Sequence, residues 1–359
     1  MIEFTDDHRD IREMVSGFSE NELAPNAEAL DESAQFPAEG IRALGELGLL
    51  AAAIPEEHGG SGSDLLTVVL ILEELARGCG STATAVAAHA FGGAVALRDF
   101  GSQQALLGAL ASGQRFATVA MPDRLGGELT TAKSTGSGWE VEGEKVVVVG
   151  GGHADVIVFS AEVDGTPNLF VLDGRDAVEL SEEAGSTLGL RGAGMVSMRI
   201  AGTLPESAHL GGADAVSATA TTLALASSAI SVGIGFSAHE YSARYANERH
   251  AFGGPISRFE SLRAYVANAA TQLTAASLLV YRGACERQKG DGRVTASMAK
   301  VAADEAVYRA CKNAVQILGG NGYSREYPVE RMYRDAKTLE VFGRNADWHR
   351  QQLAENVLG

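Results

Sequence analysis

The chain has 359 residues, room for two or three domains and a large buried core. Its 45% hydrophobic and 21% charged residues describe a globular chain and exclude a disordered one. A net charge of −17 argues against nucleic acid and anionic membrane surfaces as partners, although one local arginine suffices for a phosphorylated ligand. Cys79, Cys285 and Cys311 are scattered and lack CxxC spacing, a pattern of buried thiols in a reducing compartment. The eight histidines form no HxxxH or HExxH pair, so no metal site is expected. Residues 1–7 carry neither a basic region nor an apolar signal segment, and no uninterrupted apolar run reaches membrane-spanning length. These features predict a cytoplasmic protein without membrane insertion.

Residues 1–115 read as helical. Thr5 is a good N-cap, with Asp6 and Asp7 in a first turn where the helix dipole favours acids. Pro37 starts a second helix, with Ile41, Leu44 and Leu47 at helical spacing. Gly48-Leu49-Leu50, Ile54-Pro55-Glu56-Glu57-His58-Gly59-Gly60 and Gly62 form a loop. Residues 65–76 and 83–97 are further helices. Phe100-Gly101-Ser102-Gln103-Gln104 opens another, and Ser112-Gly113-Gln114 ends it.

From 116 to 208 the period changes. β-Branched and aromatic runs at 139–149, 156–159 and 169–172 alternate with Gly and Asp-Gly turns, which predicts an antiparallel barrel or sandwich. Residues 209–359 read as helical again. Leu262, Tyr265, Val266, Ala269, Leu273, Ala276 and Val280 trace one helical face, and Val301, Tyr308, Cys311, Val315 and Leu318 another, as in an antiparallel bundle. The small-residue stretch 216–232 belongs to a helix. The predicted fold is therefore α+β and multidomain: helical (1–115), β (116–208), helical bundle (209–359).

Three stretches carry more information than their periodicity. Val315-Gln316-Ile317-Leu318-Gly319-Gly320-Asn321-Gly322-Tyr323 reads as a helix end with bare glycine backbone, over which a ligand can approach closely. Glu326-Tyr327-Pro328-Val329-Glu330-Arg331 and Arg334-Asp335-Ala336-Lys337 follow it. Tyr245-Ala246-Asn247-Glu248-Arg249-His250-Ala251-Phe252-Gly253-Gly254-Pro255-Ile256 joins a guanidinium, suited to a pyrophosphate, to an aromatic surface. Together with the 48–62 loop these motifs resemble the acyl-CoA dehydrogenase family over nearly the whole chain. The resemblance implies an N-terminal helical domain, a middle β-domain and a C-terminal four-helix bundle. It also implies FAD, an acyl-CoA thioester substrate, a flavoprotein electron acceptor and a place in fatty acid or lipid metabolism. The implied FAD contacts are Arg249, Phe252, Gln316, Gly319 and Gly320. Glu260 stands where the family often has a Gln that donates to FAD, which an ionised carboxylate cannot do.

The catalytic half departs from that pattern. The family's general base is a Glu that removes the α-proton of the thioester while a hydride leaves the β-carbon. Counted from Arg334-Asp335-Ala336-Lys337, the chain has Phe342-Gly343-Arg344-Asn345, with Gly343 at the Glu position. The second known location falls on Leu223, beside Ala224. Asp347 and Glu340 are the nearest acidic candidates in sequence. The Thr-Glu-Pro and Trp-x-Thr segments that line the flavin ring in the family align to Ala120-Met121-Pro122 and Val147-Val148-Val149. In the family one subunit cradles the ring while its neighbour grips the adenosine and pyrophosphate. The chain keeps the residues that serve a neighbour and lacks those that serve itself. That pattern predicts a subunit, in a homo- or hetero-oligomer with a related acyl-CoA dehydrogenase subunit, that completes a partner's FAD site. Alternatives are a self-sufficient dehydrogenase with a displaced base, a flavin monooxygenase-like or biosynthetic relative, and a non-enzymatic scaffold.

Overall fold

The computed structural model describes residues 3–101, 103–123, 127–182 and 187–359. Residues 1 and 2 of the N-terminal stretch and Ser102 of the motif at 100–104 lie outside the described residues. The N-terminal part is helical: α1 (Asp6–Phe18), α2 (Ala27–Ser33), α3 (Ala38–Glu46), α4 (Leu65–Gly78), α5 (Gly80–Ala87), α6 (Val95–Phe100) and α7 (Gln104–Ala111). Thr5 caps α1 by accepting from the His8 N–H, and His8 Nδ1 accepts from the Thr5 N–H. A histidine thus fills the reciprocal role that Glu or Gln usually plays in a capping box. Helix α2 precedes the one at Pro37, so α3 is the third helix of the chain. The run expected at 83–97 is broken by a π-helical turn at Ala88–Ala94.

Helix α4 is buried nearly all round, including Glu73 and Glu74. Arg12 of α1 donates to both carboxylates, and the Tyr281 hydroxyl donates to Glu73. Burial pushes the Glu73 carboxyl up to about 7, against the opposing pull of these donors.

Eight strands follow: β1 (Ala117–Ala120), β2 (Thr131–Ser134), β3 (Gly138–Val148), β4 (Val156–Val163), β5 (Thr166–Asp173), β6 (Val178–Glu182), β7 (Val196–Pro205) and β8 (His209–Gly211). They form one sheet in the order β6-β7-β3-β2-β4-β5-β8, with β1 also on β4. Most pairs are antiparallel; β1 and β2 run parallel to β4. The 3–7 ladder slips between Lys145 and Val148, a bulge that leaves Val147 at φ 56°. Val141, Phe159, Phe170, Met198 and Ile200 fill the core of this sheet.

The C-terminal part holds α8 (Ala213–Glu248), α9 (Glu260–Gln288), α10 (Arg293–Leu318), α11 (Val329–Leu339) and α12 (Ala346–Leu358). Helix α8 packs against α4, α9 and α10. By length and composition it is apolar enough to cross a membrane, but 78% of its apolar window is buried in the fold. Its Ala and Ser side chains let the neighbouring backbones close in on it, so its apolar surface is spent on the core.

The Arg334-Asp335 pair ties α11 to the rest of the molecule. Arg334 binds Asp31 and Glu330, and the buried Asp335 accepts from the Leu190 N–H.

Candidate functional site

A cavity of ≈ 670 Å³ lies where the sheet meets α8 and the loop between α11 and α12. Its walls include Met121, Pro122 and Asp123 after β1, Val147 at the bulge, Leu223 of α8, and Gly343 and Arg344 of the loop. The size suits a small-molecule pocket, typically about 300–1,000 Å³.

Gly343 lies directly against α8. A Cβ placed on it would stand 3.0 Å from the Leu223 carbonyl oxygen and 3.2 Å from Ala224 Cα. The two positions where the resemblance puts a base, far apart in sequence, therefore meet on one wall. Neither carries a carboxylate. Asp347 and Glu340 do not line the cavity; Asp347 pairs with Arg350 and Glu340 with Lys337.

The loop is held from below. His349 donates from Nε2 to the Gly343 carbonyl at 2.9 Å and accepts from the Ser297 hydroxyl at Nδ1, 3.0 Å away. Those two roles require the neutral ring, and burial holds its pKa down at about 4. Lys300, fully buried, pairs with Asp304 and donates to the Leu339 carbonyl.

Two charged groups in the cavity escaped the sequence reading. Asp123 directly follows Ala120-Met121-Pro122, and its Oδ1 accepts from Lys145 Nζ at 2.8 Å and from the Thr130 N–H and hydroxyl. Lys145 is fully buried, and burial pulls its pKa down against the pull of Asp123. Arg344 follows Gly343. Both residues are left-handed, at φ 76° and 70°. The Arg344 guanidinium lies 4.7 Å from the centre of the Trp348 ring. Sequence alone offers no signal that separates these two from ordinary solvated charges.

The expected nucleotide-contacting residues form a separate, exposed surface. Arg249 caps the C-terminal end of α8, and Phe252 is 88% exposed at φ 53°. Gln316 is exposed near the end of α10. Gly319 has φ 61°, and a Cβ on it or on Gly320 would meet nothing within 4 Å. Gly320 itself needs no left-handed backbone. The Asn321 amide joins the two motifs by donating to the Tyr245 hydroxyl at 3.0 Å and the Tyr327 hydroxyl at 3.1 Å. Glu260 opens α9, where the helix dipole favours an acid. Leu223 and Arg249 are 26 positions apart along α8, roughly 39 Å at 1.5 Å per residue. This surface and the cavity thus stand well apart along α8.

The acyl-CoA dehydrogenase N-terminal domain model matches residues 5–114 and the C-terminal domain model residues 211–358. The probable acyl-CoA dehydrogenase YngJ of Bacillus subtilis is 32% identical over 99% of both chains. The mitochondrial short-chain specific acyl-CoA dehydrogenase of Bos taurus is 29% identical over 99% of this chain and 91% of its own. The structure of butyryl-CoA dehydrogenase from Megasphaera elsdenii superposes with a TM-score of 0.93 at 26% identity, covering 100% of each chain. Helical, β and helical parts in this order, matched end to end by these relatives, place the chain in the acyl-CoA dehydrogenase family of FAD-dependent oxidoreductases.

Proposed function

We propose that the chain is a subunit that completes the FAD site of a related, base-bearing acyl-CoA dehydrogenase subunit. The observation that carries this reading is the division of the molecule. The wall where both base positions meet holds Gly343 and Leu223 and no carboxylate, while Arg249, Phe252, Gln316, Gly319 and Gly320 stand exposed at the far end of α8. The two sets of residues lie roughly 39 Å apart along α8, at 1.5 Å per residue. The open space over Gly319 and Gly320 and the uncovered ring of Phe252 fit a dinucleotide held between this chain and another. Arg249 would clamp the pyrophosphate, Phe252 would cover the nucleotide, and the glycine backbone would admit the adenosine.

The reaction served is α,β-dehydrogenation of an acyl-CoA thioester. FAD supplies the hydride acceptor at the β-carbon, and a flavoprotein then takes the electrons. Where the family's ring cradle has Thr hydroxyls and a Trp, this chain aligns Ala120, Val149 and Val147, of which Val147 lines the cavity, and nothing on the Gly343 wall removes an α-proton.

The test is co-expression with a related subunit that carries the Glu. Fewer flavins than subunits, and anaerobic bleaching of flavin by acyl-CoA only in the mixed complex, are expected. A homogeneous chain that binds one flavin per subunit and bleaches rapidly would overturn the proposal. One observation favours a self-sufficient enzyme as the second reading: Asp123 is a carboxylate on the cavity wall. In that case Asp123→Asn would abolish bleaching by the homogeneous chain.

A further inference from the structure

Among the described residues that line the cavity, one cation has no counter-ion. Lys145 is matched to Asp123 at 2.8 Å. Arg344 has neither an ion pair nor a hydrogen-bond acceptor for its guanidinium among the described residues, and its contact is the face of Trp348. Asp123 lies near enough to stabilise the Arg344 cation, but beyond ion-pair reach and already engaged by three donors. Glu162, the other acid of the lining, exerts no such pull. Arg344 is exposed as a residue, but partial burial of its guanidinium works against the charge, and an arriving anion relieves that penalty.

The guanidinium is also preset. The left-handed pair Gly343-Arg344 turns the chain sharply, and a left-handed non-glycine residue carries strain that clusters at ligand sites. His349 fixes the Gly343 carbonyl on one side of Arg344. On the other, Asn345 caps α12 by accepting from the Trp348 N–H at 2.9 Å. Trp348 in turn lies under the guanidinium and holds its plane. A planar fork fixed in this way is suited to two parallel hydrogen bonds to one oxyanion.

We propose that Arg344 is the oxyanion-recognising residue of this cavity and binds a carboxylate or phosphate group of the thioester that enters it. The inference rests on the reading of the cavity as the family's acyl-thioester pocket, and on nothing about the partner subunit. Two parts of an acyl-CoA could supply the oxyanion: a carboxylate on the acyl chain, or a phosphate of CoA.

The test is calorimetric titration of the full chain with glutaryl-CoA, pentanoyl-CoA of equal acyl length, and pentanoyl-pantetheine, which lacks the phosphates. Each is repeated with Arg344→Gln and Arg344→Lys. Every L-residue meets the same backbone strain at position 344, so these variants keep the fold, and their melting temperatures check it. A charged hydrogen-bonded pair predicts a loss of about 10- to 100-fold in the Gln variant, with partial recovery in the Lys variant. A loss confined to glutaryl-CoA assigns the oxyanion to the acyl chain. An equal loss for both CoA esters, with pentanoyl-pantetheine unaffected, assigns it to a CoA phosphate. Unchanged affinities in Arg344→Gln overturn the role of Arg344 and leave the pocket reading standing. If no thioester binds the parent chain, the pocket reading falls and the inference with it.

Discussion

Restoring the missing base is a direct perturbation of this site, and the structure ranks the two ways of doing it. Gly343→Glu places a side chain at φ 76°, where an L-residue costs about 1–2 kcal/mol relative to glycine. The new Cβ also sits 3.0 Å from the Leu223 carbonyl oxygen and 3.2 Å from Ala224 Cα, both backbone atoms of a helix buried on several sides. Neither atom can rotate away, so the strain adds to the left-handed penalty. Leu223→Glu meets no such obstacle. Position 223 has helical backbone, and its side chain lines the same cavity. Its cost is the lost burial of one Leu, about 1.5–3 kcal/mol, and the desolvation of a carboxyl at a position only 4% exposed, which raises its pKa towards the range of a working base. A working general base is worth about 10²–10⁴-fold. The expected order of anaerobic flavin bleaching by acyl-CoA, measured on flavin-loaded chains, is Leu223→Glu above Gly343→Glu, with the parent lowest. Gains stay well short of the full factor because the Thr donors and the Trp are still absent. Melting temperatures of Gly343→Ala and Gly343→Glu should both fall, since the strain begins at Cβ. A Gly343→Ala variant as stable as the parent, or faster bleaching by Gly343→Glu than by Leu223→Glu, would refute the geometric argument.

The other end of α8 gives a contrasting expectation. Arg249→Ala should weaken flavin binding in the assembled complex by about 1.5–3 kcal/mol, the value of a charged hydrogen bond, without lowering the melting temperature of the chain. Gly320→Leu fills space that is open in the lone chain, so it should leave monomer stability unchanged and reduce flavin content; equal flavin content would remove Gly320 from the cofactor surface. The pH dependence has a definite sign. Glu73 has its folded pKa raised to about 7 from 4.5, so the folded state binds the extra proton between those values. Its contribution is largest at low pH and is lost as pH rises through about 7. Comparing the parent with Glu73→Gln in thermal melts from pH 5 to pH 8 should show the parent's extra decline; parallel curves would mean that Arg12 and Tyr281 already offset the burial.

The order of the domains was legible because burial imposes its period on the sequence. Continuous runs of β-branched, aromatic and other apolar residues between Gly turns announced strands such as β4 and β5. Of the helical face expected in α9, Ala269, Leu273, Ala276 and Val280 are buried, while Leu262, Tyr265 and Val266 at its start are half-buried. The glycine motif at 319 was legible too, because positive φ at Gly319 is a local demand that residue type reveals, although Gly320 does not share it. What could not be read was tertiary. Helix α2 lacks a side-chain cap and begins straight after a short 3-10 turn, so nothing local marks its start. The break at Ala88–Ala94 lies in an all-buried run with no helix-breaking proline. Asp123 and Arg344 look like surface charges in any window of sequence. Only the closure of the α11–α12 loop onto the sheet puts them in one cavity. The meeting of Gly343 with Leu223 likewise joins residues 120 positions apart, and no spacing rule connects them.

The polar groups under that loop point to what the chain retains. Lys300 and Asp304 form a buried ion pair, and such a pair is often no more stabilising than apolar packing of the same shape. What it adds is direction: Lys300 Nζ fixes the Leu339 carbonyl at 3.0 Å, as His349 fixes that of Gly343 at 2.9 Å. Two carbonyls, one on each side of residues 340–342, are thereby held in place. The residue after Gly343 lies over Trp348 at the cavity wall. A chain that needed only to present Arg249 and its neighbours to a partner has no physical use for this bracing. They lie 26 positions along α8 from Leu223, and neither the Lys300–Asp304 pair nor His349 touches that surface. The bracing is explained if the loop still positions a functional group. With glycine at 343, the group so positioned is the guanidinium of Arg344.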